Sequence, residues 1–281
     1  MSLLFLMSSA LGRAKAEARA ELIRAALERD LGMDVVTEVA SSYGDLEDQC
    51  NLGKAKLVWA PAGVTAKLAN ARAVFTVVRE GQTSYCSAIV TRRNAPFTLA
   101  NLGGTRAAWV DPLSAGGYLL AMAKLRAEGI DPARTFASQF FYGSHRAAVE
   151  AVLHETADIT AVSTYGKDAN KLAERLRWYA GPAGAKLSPL AFTESCLNDS
   201  IVIPQSVSPA EAAELTRKLV PKDKSAIARS RFLAALEADT IVPMALAEYH
   251  RLAPLLVQAG GDDRITMSPP SGQRSSRTSW H

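Results

Sequence analysis

The residues best placed for chemistry lie in "DPLSAGGYLL", 111 to 120. An apolar run, "TRAAWV" (105 to 110), precedes them, and "LLAMAKLRAEG" (119 to 129), with helical apolar spacing, follows. The stretch therefore reads as a strand, a tight small-residue turn and a helix start, with Ser114 as N-cap. Such a turn gathers unpaired backbone N–H groups at the positive end of a helix dipole, a setting that suits an oxyanion. An ordinary strand-to-helix connection has the same appearance, so the stretch alone leaves both readings open. Elsewhere no nucleophile–base pair, metal-ligand cluster or cofactor motif can be assigned, and no cofactor is expected. Cys50, Cys86 and Cys196 form an odd set without metal spacing and read as buried free thiols.

These residues must be held by a sizeable scaffold. A chain of 281 residues, 48% apolar, can bury a large core as one domain or as two lobes of roughly 100 to 150 residues. The net charge of +4 is spread along amphipathic segments without a Lys/Arg block, which argues against a nucleic-acid partner. No apolar stretch approaches the roughly 18 residues of a membrane helix, so no membrane insertion is expected. The N-terminal apolar run, Leu3 to Met7, is too short for a secretory signal, lacks a preceding basic residue, and reads as the first buried strand. As given, the chain is expected in the cytoplasm, or in the periplasm if the natural start includes a signal.

Strands alternate with helices along the chain. After "LLFLMSS", the segment "AKAEARAELIRAALERDLG" places Leu22, Ile23, Ala26, Leu27 and Leu31 on one stripe and stops at Gly32. "MDVVTEVA", "AKLVWAP", "ARAVFTVVRE" and "SYCSAIVTRR" read as strands separated by short helices at 44 to 53 and 63 to 70. A second series follows: "TRAAWV", a helix over 114 to 128, "FASQFFYG", the helix "SHRAAVEAVLHE" and "ADITAVS". "SIVIPQ" then resumes a strand, and only helices are expected after it, at 208 to 220, 223 to 238 and 243 to 258. The Ser-, Pro-, Gly- and Arg-rich segment 260 to 281 is expected to be a disordered tail. This alternation predicts an α/β protein with mostly parallel sheets.

Five stretches occur in an order that is informative together: "SSYGDLEDQCNLGKAKLVWAP", "SYCSAIVTRR", "VDPLSAGGYLL", "GSHRAAVEAVLHETADITAV" and "CLNDSIVIP". With the C-terminal "LEADTIVPMALAEYHRL", they resemble the phosphonate and phosphite solute-binding proteins of ABC transporters over about residues 1 to 255. The resemblance implies a two-lobed type II periplasmic-binding-protein fold with a ligand cleft between the lobes. Residues 1 to 88 plus 196 to 258 would form one lobe and 92 to 188 the other, with hinge crossovers at 89 to 91 and 189 to 195. It further implies that Tyr43 and Tyr85 line the first lobe's wall, and that Ser114 with the backbone of Ala115, Gly116 and Gly117 holds oxyanion oxygens. His145 would donate a hydrogen bond, Asp199 would face the same cleft, and Tyr165 would stand where aminophosphonate binders carry a carboxylate.

Two departures bear on the ligand. The family's Ser-Thr-Ser is here Ser114, Ala115, Gly116, so two hydroxyl donors are missing and weaker oxyanion binding is expected, to be recovered by restoring hydroxyls at 115 and 116. With Tyr165 in place of an acid, a ligand ammonium loses one partner. Each residue also has a plainer reading: the tyrosines as core aromatics, His145 as a cap, Asp199 as a turn acid. Tyr142, His154, His250 and Trp59 carry no motif and read as structural. The leading functional expectation is a non-catalytic binder of a small phosphate- or phosphonate-like oxyanion, working with an ABC permease or as an intracellular sensor. The alternatives are an interaction module that has lost its ligand and a cytoplasmic enzyme of the same fold acting on a small carboxylated substrate.

Overall fold

A computed structural model describes residues 2–10, 12–220, 222–260 and 265–266. Twelve strands run in chain order as β1 (Leu3–Met7), β2 (Val35–Val39), β3 (Leu57–Ala60), β4 (Ala73–Val78), β5 (Ser84–Arg92), β6 (Arg106–Trp109), β7 (Ser138–Phe141), β8 (Ile159–Thr164), β9 (Leu187–Leu197), β10 (Ser200–Ile203), β11 (Thr240–Pro243) and β12 (Ile265–Thr266). They form two six-stranded sheets, β11-β4-β10-β3-β1-β2 and β12-β7-β6-β8-β5-β9. Pairing is parallel across β3-β1-β2 and β7-β6-β8, as strand–helix alternation predicts, and antiparallel wherever β5, β9, β10 and β11 join. The antiparallel strands are those next to the passages between sheets, so the sheets are mixed rather than mostly parallel.

Each sheet is covered on both faces, which is why its strands are apolar almost throughout. In the first lobe the helix Arg13–Leu31 buries Ala16, Ala20, Ile23, Ala26, Leu27 and Leu31 against Leu3, Phe5 and Phe75. Leu22, expected on that stripe, is 60% exposed: the small residues Ala16 and Ala20 define the contact face instead, and it turns Leu22 outward. Gly32, at φ 68°, ends this helix in the left-handed conformation that a side chain would resist. The opposite face of the sheet is packed by the helices Tyr43–Asn51, Ala62–Lys67 and Leu246–His250. Two further cores flank the second sheet. All three cysteines are buried and unpaired, and burial pushes the Cys50 thiol to about 11 and the Cys196 thiol to about 12.

The expected crossovers at 89 to 91 and 189 to 195 lie inside β5 and β9, which belong wholly to the second sheet. The chain changes sheets instead at 79 to 83 and at 198 to 199, so 84 to 88 belong with the second lobe. The two passages are stitched together. Asn198 Nδ2 donates to the carbonyls of Val77 and Gln82, each at 2.9 Å, and its amide donates to Thr83 O at 2.8 Å. The buried Tyr249 hydroxyl donates to Asn198 O at 2.9 Å, leaving the Thr76 hydroxyl, 2.8 Å away, to donate to Tyr249. A third passage exists: in the helix Ala253–Gly260, Leu255 and Leu256 pack against cores of both lobes, and Ile265–Thr266 pair with β7. The remainder of the predicted tail, 261 to 264 and 267 to 281, lies outside the described residues. The helix expected over 243 to 258 begins later, because Thr240–Pro243 adds an edge strand to β4.

Candidate ligand-binding cleft

Between the lobes lies a cavity of about 170 Å³. Its second-lobe floor is the start of the helix that follows β6. The first turn is wide: Leu119 N bonds Ser114 O and Leu120 N bonds Ala115 O, both five residues back. Ahead of these bonds the amides of Ala115 and Gly116 have no acceptor within the helix, while Gly117 N donates to Ser114 Oγ at 3.1 Å. Gly116 lies against Tyr85 and Ser163: a β-carbon there would stand 2.9 Å from Tyr85 Cε2 and 3.1 Å from Ser163 Cβ. The missing hydroxyl at 116 is therefore tied to the position of the Tyr85 ring, which a serine there would have to displace. Gly117 does not reach the cavity; it packs against Val110, and its amide is already used by Ser114.

The first lobe supplies the opposite wall. Tyr43 opens a helix capped by Ser42, whose Oγ accepts from Asp45 N at 3.0 Å, and its own amide reaches Asp111 Oδ2 in the second lobe at 3.4 Å. Its phenol lines the same cavity as Ser114 and is held neutral by burial and the nearby Asp111 carboxylate. Tyr85, expected on the first lobe's wall, instead stands on β5 of the second lobe opposite Cys196 of β9, and burial raises its hydroxyl far above the ordinary range. Asp199 faces the cavity with both oxygens engaged. Arg79 holds it through Nη1 at 2.5 Å and Nη2 at 3.0 Å, and the Trp59 indole donates to Oδ2. Burial alone would raise this carboxyl, but the Arg79 charge and the two hydrogen-bonding partners bring it below its usual value.

The helix Ala169–Ala180 completes the second-lobe wall. Leu172, Leu176 and Tyr179 anchor it in the core, and the neighbouring positions Arg175 and Trp178 line the cavity. The Arg175 guanidinium carbon lies 4.9 Å from the Trp178 ring centre, 5.4 Å from Tyr179 and 5.9 Å from Tyr165. His145, first in the helix His145–Leu153, stacks on Tyr179 at 5.2 Å. Burial, with the charge of Arg175 adding to it, lowers its pKa to about 3, so the ring is neutral; Nδ1 is buried without a hydrogen-bond partner. Burial raises the Tyr165 hydroxyl, against the nearby charges of Arg79 and Arg175.

Thus Tyr43, Tyr85, Ser114, Ala115, Gly116, His145, Tyr165 and Asp199 meet at one cavity although they are far apart in sequence, and Gly117 stands behind it. Several contributors were not read from the sequence, among them Arg19, Arg79, Arg175, Trp178 and Tyr179. Trp59, read as structural, also lines the cavity and donates to Asp199. The amphipathic spacing Leu172, Leu176, Tyr179 was the available signal for the helix carrying Arg175. Among the described residues no His, Cys, Asp and Glu group is arranged to hold a metal.

Over residues 5–249 the chain matches the family described as the periplasmic substrate-binding protein of an ABC transporter for phosphonate. It belongs to that family. Solved structures that share its fold include the following three. A binding-protein component of an ABC phosphonate transporter from Pseudomonas aeruginosa is 16% identical, with a TM-score of 0.76 over 92% of this chain and 86% of the other. PhnD1 of Prochlorococcus marinus, in complex with methylphosphonate, is 16% identical with a TM-score of 0.77, over 92% and 98%. A Xanthomonas citri protein bound to ATP is 18% identical with a TM-score of 0.71, over 92% and 98%. No curated protein matches by sequence. The chain thus has the type II periplasmic-binding-protein fold and is a solute-binding family member. The family's description is periplasmic, and the cytoplasmic expectation has no finding in its favour. No helix among the described residues is long and apolar enough to cross a membrane.

Proposed function

We propose that this protein captures a small oxyanion of the phosphonate type between its lobes and presents the closed complex to an ABC permease. The observation that carries the reading is the Ser114 helix start opening onto the same cavity as the partnerless His145 Nδ1. Helix-start amides and neutral side-chain donors bind oxygen anions without demanding a counter-charge. A cavity of about 170 Å³ is below the roughly 300–1,000 Å³ of drug-sized pockets, which favours a compact ligand over a nucleotide. The two sheet-changing passages, lying side by side at 79 to 83 and 198 to 199, are where a hinge would act. Membership of a solute-binding family supports binding without turnover.

The test is calorimetry with methylphosphonate, phosphite and phosphate at fixed salt, on the wild-type protein and on Ser114→Ala. The substitution removes the hydroxyl that organises the turn and should weaken the best of these ligands by about tenfold, the cost of one hydrogen bond to a charged group. Failure of all three to bind the folded wild-type protein overturns the oxyanion reading and leaves the interaction-module reading in its place.

A further inference from the structure

The ionisable groups of the cleft are unevenly matched. Arg79 is paired with Asp199 and Arg19 with Glu237, whereas Arg175 has no carboxylate partner among the described residues. Its Nε is buried without a hydrogen-bond acceptor, a donor for which the protein supplies nothing. Three guanidinium groups thus face two carboxylates along the cavity wall, with His145 neutral. The aromatic rings around Arg175 displace water from its faces and leave its edges as the productive direction for hydrogen bonding.

The position of this charge is as informative as its lack of a partner. Tyr179 connects it to the helix start: its hydroxyl is 3.2 Å from Ser163 Oγ, and Ser163 borders Gly116. Arg175 and the helix start at Ala115 and Gly116 therefore line the same cavity, with Tyr179 and Ser163 between them. Asp199, the carboxylate that could have received a ligand ammonium, already has Arg79 and Trp59 on its two oxygens.

We propose that Arg175 anchors a second acidic group, so that the cleft selects small diacids, with an oxyanion at the Ser114 helix start and a carboxylate on Arg175, over aminoalkyl oxyanions. The inference rests on the cleft being the ligand site. A planar guanidinium edge matches a carboxylate through two parallel N–H···O bonds, and an ammonium at the same point meets like charge.

The experiment compares phosphonoacetate, methylphosphonate and 2-aminoethylphosphonate by calorimetry on the wild-type protein, Arg175→Gln and Arg175→Lys. Phosphonoacetate should bind the wild-type protein at least about tenfold more tightly than methylphosphonate, and 2-aminoethylphosphonate more weakly than either. Arg175→Gln should abolish that ratio, and Arg175→Lys, which keeps the charge without the fork, should reduce it. If Arg175→Gln does not fold, the wild-type and Arg175→Lys ratios decide. A wild-type ratio of one or less, or a ratio unchanged in a folded Arg175 variant, overturns this inference while methylphosphonate binding keeps the proposed function standing. Absence of binding by every compound overturns both.

Discussion

Gly63 offers a direct way to hold the cleft ajar. It lies in the first-lobe helix Ala62–Lys67, and a β-carbon at this position would stand 2.0 Å from the carbonyl oxygen of Leu113, in the second-lobe turn just before Ser114. Its backbone is not in the left-handed region, so Gly63→Ala carries no conformational penalty and acts chiefly through the Leu113 carbonyl, with Leu119 Cδ1 also at 3.4 Å. Restoring an ordinary separation of 3.4 Å requires the Leu113 carbonyl to retreat by about 1.4 Å. A hydrogen bond of about 2.9 Å stretched by that amount is lost. A ligand held from both lobes would then forfeit at least one charge-assisted contact, worth about 1.5 to 3 kcal/mol, or a tenfold or greater fall in affinity. Calorimetry with the best-bound oxyanion reads the affinity, and small-angle scattering with and without ligand reads the compaction. Undiminished affinity with an unchanged radius of gyration would refute the claim that close approach at Gly63 defines the binding-competent state.

Two further predictions test the electrostatics. His145 has its folded pKa lowered to about 3, so between that value and about 6.5 the unfolded chain takes up a proton that the folded protein refuses. Stability should fall as pH drops through this window, by up to about 1.4 kcal/mol per unit from this group; chemical denaturation of His145→Gln should show a shallower decline, and an identical slope would mean the ring is not held neutral. Asp199→Asn removes the carboxylate from Arg79 and should cost about 3 kcal/mol, the low end for a broken buried pair because Arg79 still donates to the carbonyls of Leu236 and Glu237. Adding Arg79→Met to Asp199→Asn should recover part of that loss in urea unfolding; strictly additive losses would show that the pair is not coupled.

Much of this architecture was legible because α/β lobes write their order into the chain. The apolar runs of β1, β3, β6 and β8 and the stop at Gly32 follow local rules, and the motif order brought eight distant residues to one cavity. What escaped has physical causes. The crossover expected at 189 to 195 falls later because β9 runs on through Pro189 as an edge strand, where a proline is tolerated. β11 is four residues long and ends in Pro243, too short to display a period. Leu22 follows the helical repeat but sits one step around from a face set by alanines. Arg175 is hardest to see, because an arginine beside exposed helix positions looks like any solvated residue; only the packing of Leu172, Leu176 and Tyr179 turns it toward the cleft.

The placement of β10 has a consequence for how the molecule is made. The strands β5 to β9 occupy one uninterrupted span, 84 to 197, whereas the first sheet has β10 at its centre, between β3 and β4. As the chain emerges from the ribosome, β1 to β4 appear first and have no strand to join them into one sheet until residues 200 to 203 follow. The lobe that begins the sequence is therefore the later one to close, and the intervening lobe can fold while the first waits with open strand edges. A chain released before β10 would carry a second lobe lacking only the edge strand β12 on a divided first one, the form most exposed to proteases and to edge-to-edge association.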